Sequence, residues 1–289
     1  MSGFRTQAGG RAWVTGTGGL IGHYLVAAAR HGRPPFEVIA LTHSDLDITD
    51  FGAVERRFGA ERPQLIIHCA AMSKSPDCQS NPAPARTVNV DATAHLAALA
   101  REVGFIFFST DLVFDGKKGD YIETDAVNPL SVYGETKVAA EEIVLKNPRH
   151  VVVRTSLNSG SSPKGTAYNE QLREGWMRGK TIRLFHDEFR CPIPAAVTAR
   201  ATWKLAGLGC GGMYHLAGGE RLSRAQIGQL AAARHPELEA RMESCSLREY
   251  AGAPRPADTS LNCARIQKLL SFTLPGLTQW LREHPEDVF

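Results

Sequence analysis

Between a short β-type run, Arg11-Ala12-Trp13-Val14-Thr15, and an amphipathic helical stretch, Leu20-Ile21-Gly22-His23-Tyr24-Leu25-Val26-Ala27, the chain reads Gly16-Thr17-Gly18-Gly19. Strand, glycine turn and helix in that order constrain the fold more than any other feature. The spacing is G-x-x-G-x-x-G. Gly16 permits a turn that a Cβ would obstruct, Gly19 lets the backbone approach a pyrophosphate, and Gly22 lets the helix pack against the strand. The unpaired N–H groups at the helix start, around Leu20 and Ile21, then face the phosphates. Any glycine-rich turn can carry these letters; their place between a first strand and a first helix points to a bound dinucleotide.

The alternation continues downstream. After a break at Gly32-Arg33-Pro34-Pro35, strands are expected at 36–41, at Leu65-Ile66-Ile67-His68-Cys69, at 105–108 and at Val151-Val152-Val153. Helices are expected over 51–58, 87–101 and 132–145. Short, fully apolar strands alternating with helices imply an α/β fold, a doubly wound parallel sheet covered on both faces. Beyond about Ser156 the rhythm weakens at the loop Ser159-Gly160-Ser161-Ser162-Pro163-Lys164-Gly165. Residues 1–156 are therefore expected to form a NAD(P)-binding domain, to which the chain returns near 190–217, and 157–289 mainly a smaller C-terminal substrate-binding region. A length of 289 residues, long for one core and short for two, suits that division. Later helices are expected at 167–178, 195–208 and 224–234 and a strand at 213–216, with Trp203 and Trp280 as packing anchors.

Composition narrows the function classes. A hydrophobic share of 43% with 22% charged residues is that of a globular protein rather than a disordered or fibrous one. A net charge of +3, spread along the chain, argues against a nucleic-acid or membrane partner. The first ten residues have no apolar stretch of signal type, and no run is long and apolar enough to span a bilayer, so a cytoplasmic location is expected. The six cysteines lie far apart with no C-x-x-C, which predicts reduced thiols and neither a disulfide framework nor a zinc site. His186-Asp187-Glu188 reads as a loop rather than a metal site, since neighbours in an extended segment seldom converge on one ion. His215 reads as a strand residue, and no metal is expected. If the chain assembles, a homodimer is the expected form.

Two further clusters carry chemistry. The second strand should end on the residues that read the adenosine ribose, here Thr42 and His43, with no carboxylate at the tip itself; this favours NADPH, with NADH as an option. Asp47-Ile48, after a further short extended stretch, would reach the adenine. Tyr133-Gly134-Glu135-Thr136-Lys137 places a phenol and an ammonium four residues apart, on one face of a helix starting after Ser131. A nearby cation and a helix N-terminus both favour phenolate; a fall of roughly 3 pKa units corresponds to about 4 kcal/mol between the two forms. Upstream, the apolar strand ends in Ser109-Thr110-Asp111, at the sheet edge where open α/β folds place their ligands.

These residues resemble the extended short-chain dehydrogenase/reductases, a Rossmann-type group, and within them the dTDP-4-dehydrorhamnose reductase family. The likeness rests on Leu46-Asp47-Ile48-Thr49-Asp50, His68-Cys69-Ala70-Ala71, Ser109-Thr110-Asp111-Leu112-Val113-Phe114-Asp115-Gly116, Asn128-Pro129 through Lys137, and Arg154-Thr155-Ser156. Asp187-Glu188-Phe189-Arg190-Cys191-Pro192 is similar to the family's D-Q-F-G-x-P segment and Arg255-Pro256 to its late R-P. The resemblance implies a nucleotide-sugar substrate whose keto group is held by Thr110 and protonated by Tyr133. Lys137 would support Tyr133 and bind the nicotinamide ribose, and Ala70 and Ala71 would line the cofactor cleft. Departures concentrate on the substrate side: Ser75-Pro76-Asp77-Cys78-Gln79, Leu112, Leu157 and Arg190, together with His43 at the second-strand tip. Two alternatives stay open. One is a nucleotide-sugar epimerase of the same superfamily; the other is a non-catalytic NADP-binding regulatory subunit. A sugar-nucleotide dehydratase would need a carboxylate after Asp111, where Leu112 stands.

Overall fold

In the first half of the chain, β1 (Gly10–Thr15), α1 (Leu20–Gly32), β2 (Phe36–Leu41), α2 (Phe51–Glu61) and β3 (Leu65–His68) are followed by the short helices α3 (Ser75–Ser80) and α4 (Pro82–Arg86). Then come α5 (Ala92–Leu99), β4 (Gly104–Thr110), α6 (Val132–Val144), β5 (Val151–Thr155) and β6 (Asn158–Ser159). The second half holds α7 (Tyr168–Met177), β7 (Ile182–Phe185), β8 (Phe189–Arg190), β9 (Ile193–Pro194), α8 (Ala195–Leu208), β10 (Gly212–Leu216), β11 (Leu222–Ser223), α9 (Arg224–Arg234), β12 (Met242–Cys245), α10 (Ala264–Gln267) and α11 (Leu277–Glu283). These come from a computed structural model that describes residues 9–32 and 36–287. Of the expected break at Gly32-Arg33-Pro34-Pro35 all but Gly32 lies outside them, as does most of the amino-terminal stretch read for a signal.

Six strands form one parallel sheet in the order β10-β5-β4-β3-β1-β2. The apolar strand sequences explain its two-sided burial. Ala12, Val14, Leu65 and Ile67 point into one core with α1 and α8, whereas Trp13, Ile66, Phe105 and Phe107 point into the other with α2, α5 and α6. The Trp203 indole N–H donates to the Leu25 carbonyl at 2.9 Å and fastens α8 to α1. A third apolar cluster, around Leu172, Trp176, Leu184, Ile227, Leu277 and Leu281, joins α7, α9 and α11 in the C-terminal region, and Trp280 packs against it. Because β2 and β3 flank β1, the chain reverses its winding direction there, and a crevice opens at the carboxyl ends of β1 and β3. Among the described residues no helix is long and apolar enough to cross a membrane.

Residues 75–86 form the short helices α3 and α4, the latter opening on Pro82, where a missing N–H costs no hydrogen bond. Two local expectations give way. The helix expected over 87–101 is subdivided into a π turn at Thr87–Asp91, α5, and a 3₁₀ turn at Ala100–Glu102. The extended stretch expected before Asp47 is a turn, closed by the Asp45 N–H on the Thr42 carbonyl at 3.2 Å.

Candidate active site

The glycine turn fits the crevice with no room for side chains. Gly16 has φ +71°, and a Cβ there would lie 2.6 Å from the Ala70 backbone nitrogen, so the β1–α1 turn rests directly on the chain leaving β3. At Gly22 a Cβ would come within 2.5 Å of the Gly16 carbonyl oxygen. The helix thus packs on its own turn rather than on the strand. From this turn runs a cleft of about 920 Å³. Gly16, Gly19, Leu20, Ile21 and Gly22 line its start, Thr42, His43, Asp47 and Ile48 one end, Ala70 and Ala71 the floor, and Thr110, Tyr133 and Lys137 the far side.

At the second-strand tip the Asp45 carboxylate accepts from the Thr42 N–H at 2.9 Å and the Thr42 hydroxyl at 2.6 Å, which holds it below the usual range. Asp47 is likewise lowered, by the Thr49 N–H and hydroxyl. His43 stays exposed, with Nδ1 4.0 Å from Asp47 Oδ1.

Tyr133 and Thr110 meet because two segments are pressed together. The Ser131 hydroxyl caps α6 by accepting from the Gly134 N–H at 3.2 Å, and a Cβ at Gly134 would sit 2.5 Å from the Leu112 carbonyl oxygen. The helix start therefore lies against the turn that follows Thr110. One helical turn on, Lys137 is buried with Nζ 3.9 Å from the centre of the Phe107 ring. Next, Glu141 takes the Ser109 hydroxyl and forms a buried bidentate pair with Arg154, at 3.0 Å to Nε and 2.7 Å to Nη2, locking α6 to β4 and β5. Asn89, on the π turn, bonds both polar backbone atoms of Met72 and the Thr136 hydroxyl, which braces the cleft floor against α6.

The electrostatics differ from the sequence expectation. Burial pushes the Tyr133 phenol up, Asp111 adds to this, and a hydrogen bond with Thr110 opposes it. Burial also lowers Lys137 to about 7. The two shifts share their main cause, since burial disfavours phenolate and ammonium alike.

On the substrate side the structure assembles residues that motif spacing does not reveal. Ser156, Leu157, Asn158, Lys164, Arg190 and Arg224 line the same cleft. Buried Asp111 accepts from the Ser156 hydroxyl at 2.8 Å and the Thr259 hydroxyl at 2.9 Å. Glu188, fully buried, binds Arg190 at 3.0 Å, Arg224 at 2.8 Å and Arg255 at 2.7 Å, and those guanidiniums hold it down at about 2 despite burial. Asp187 instead accepts from the Ser246 hydroxyl and the Leu247 N–H. His215 lies in β10, with Nδ1 2.9 Å from the Tyr121 carbonyl and burial lowering it to about 4. Signals for Arg190, Arg255 and Ser156 existed in the family-like segments; none marked Lys164, Asn158 or Arg224.

Comparison with known proteins adds an independent line. The family model described as RmlD substrate binding domain matches residues 11–288. A dTDP-4-dehydrorhamnose reductase of Mycobacterium tuberculosis is 36% identical over 282 residues, covering 93% of this chain and 88% of the relative. The methionine adenosyltransferase 2 subunit beta of Xenopus laevis is 29% identical, covering 90% of this chain and 82% of the relative. Among solved structures, a hypothetical dTDP-4-dehydrorhamnose reductase from Sulfolobus tokodaii superposes with a TM-score of 0.82 at 30% identity, covering 92% of this chain and 97% of the other.

Proposed function

Since the chain belongs to the RmlD substrate binding domain family, we infer that it is a NAD(P)H-dependent reductase of a keto group on a nucleotide sugar, acting as the dTDP-4-dehydrorhamnose reductases do. The observation that carries this reading is the single cleft joining the glycine turn to Thr110, Tyr133 and Lys137. Gly16 and Gly22, where a Cβ would strike backbone, keep the β1–α1 turn tight at the head of the cleft, and the helix start beside it offers the unpaired N–H groups that a pyrophosphate requires, so the cleft fits a nicotinamide dinucleotide. The N–H groups around Gly19, Leu20 and Ile21 would hold its phosphates, Thr42 and His43 its adenosine ribose, Asp47 and Ile48 its adenine, and Lys137 its nicotinamide ribose, over Ala70 and Ala71. When bound in reduced form, it supplies a hydride to the carbonyl carbon. NADPH is preferred in this reading because Thr42 and His43, not a carboxylate, stand at the second-strand tip, and Asp45 is turned back onto Thr42 through its Oδ2.

The chain's own groups manage the proton. Thr110 holds the carbonyl oxygen by turning its one hydroxyl proton from Asp111 to the substrate, and Tyr133 donates to the same oxygen; a phenol raised by burial keeps its proton until negative charge develops there. Lys137, at about 7, carries a proton near neutrality and returns it to the phenolate. Cofactor binding is assigned to residues 1–156 with β10, and substrate holding mainly to 157–289. A cytoplasmic setting accords with six free thiols.

The test is oxidation of NADPH with dTDP-4-dehydro-L-rhamnose. Turnover is expected, and Tyr133→Phe should remove at least about 99% of it while leaving NADPH binding intact. Firm NADPH binding without turnover on any 4-keto nucleotide sugar would instead favour a non-catalytic regulatory subunit; the Xenopus relative is itself named a subunit beta.

A further inference from the structure

Arg190 is 2% exposed, and each of its N–H groups faces a protein acceptor. Nη1 donates to the carbonyls of Phe189 at 2.6 Å and Pro256 at 3.2 Å, Nη2 to that of Pro256 at 3.2 Å and to Glu188 at 3.0 Å, and Nε lies 3.6 Å from Asp111 Oδ2. Both terminal nitrogens are thus taken up by protein acceptors, and Nε meets Asp111 as a charge contact rather than a hydrogen bond. That carboxylate also receives the Thr110 hydroxyl at 3.2 Å, directly beside the candidate proton donor. A buried negative charge at such a place opposes loss of the phenolic proton, and a cation beside it relieves that opposition. The other groups facing Tyr133 contribute no comparable fixed charge. Thr110 comes from the β4 end; the Cys78 thiol, from α3, is pushed up and stays neutral; Lys137, on α6 itself, is only partly charged near neutrality.

We propose that Arg190 is a positioning residue for the reaction: it cancels the charge of Asp111 beside the Tyr133 phenol and ties the strand end bearing Thr110 to segment 256–259. The proposal rests on the reading of Tyr133 as proton donor. It gives a purpose to an arginine that replaces the small residue usual at this point of a D-Q-F-G-like segment.

The experiment measures the alkaline limb of the kcat profile, with NADPH and dTDP-4-dehydro-L-rhamnose, for the wild type, Arg190→Gln, Asp111→Asn and the double variant. Arg190→Gln leaves Asp111 uncompensated, so the limb should move up by about one pH unit and kcat at pH 7 should fall about tenfold, with NADPH affinity unchanged. Asp111→Asn should move the limb down, and the double variant should return it to near the wild-type position. The sign is the same whether Tyr133 or Lys137 sets the limb, because both gain a proton more readily near an unpaired carboxylate. Four coincident limbs, or a double variant no nearer wild type than Arg190→Gln, would overturn the proposal and leave Arg190 a packing residue. If Arg190→Gln does not fold, Asp111→Asn decides, and a limb that fails to fall overturns the idea. Turnover surviving in Tyr133→Phe would sink the underlying reading instead, a result separable from all of these.

Discussion

Lys137 shows how one buried charge couples stability to pH. In the folded chain it titrates at about 7, against the 10.5 usual for a lysine, because burial disfavours the ammonium. Between those values the unfolded chain binds the extra proton, so this group's contribution makes stability rise with pH, at about 1.4 kcal/mol per unit. Below 7 both states are protonated and the full cost of burying the cation remains. Lys137→Met keeps the aliphatic volume and removes that cost. The variant should therefore melt higher than the wild type at pH 6, and the difference should shrink by pH 9; thermal unfolding at the two pH values checks this. A gap that is constant with pH would mean that Lys137 is not a buried, titrating lysine. The pair Tyr133 and Lys137 was visible as letters four apart, whereas the direction in which each titrates was not, since it depends on Phe107, Asp111 and the depth of the cleft.

At the scale of elements, legibility follows locality. β2, α8 and α9 have the bounds that their apolar patterns predict, because each is specified by residues within its own span. The short helices over residues 75–86 are less legible, since prolines that end a helix can equally begin one, and only the neighbours decide which. The contact of α6 with the turn after Thr110 is a further case. Gly134 looks like a mild helix defect in sequence, yet it is the gap into which the Leu112 carbonyl fits. Gly134→Ala should lower stability by about 1–3 kcal/mol and displace Tyr133 from Thr110. The expected readouts are an earlier denaturation midpoint and kcat reduced at least about tenfold, with NADPH affinity nearly unchanged. A variant with full kcat would show that α6 is not positioned through this contact.

Over the whole molecule, Glu188 joins parts of the chain that sequence leaves unrelated. Its carboxylate gathers Arg190 from β8, Arg224 from the start of α9 and Arg255 from a late loop. Held at about 2 against the 4.5 usual for a glutamate, it contributes stability that is fully present above about 4.5 and lost as pH falls towards 2. The span corresponds to something on the order of 3 kcal/mol. Glu188→Gln leaves buried guanidiniums without their counter-charge and should cost about 3–5 kcal/mol at neutral pH. Its stability should also lose the steep acid dependence of the wild type between pH 4.5 and 2, as followed by circular dichroism. An acid profile that parallels the wild type would show that the cluster does not anchor the C-terminal region.

By itself the sequence determined the parallel α/β architecture, the glycine turn and several of the residues that line the cleft beside that turn. These depend on backbone freedom and on apolar periodicity, which act over a few residues and can be read in order. Tertiary structure alone decided that Asp111, Ser156, Glu188, Arg190, Arg224, Arg255 and Thr259 form one polar network beside Thr110, buried except at its Arg255 and Ser156 edges. Whether a charge is buried, and which partners neutralise it, depends on long-range packing that no local spacing encodes.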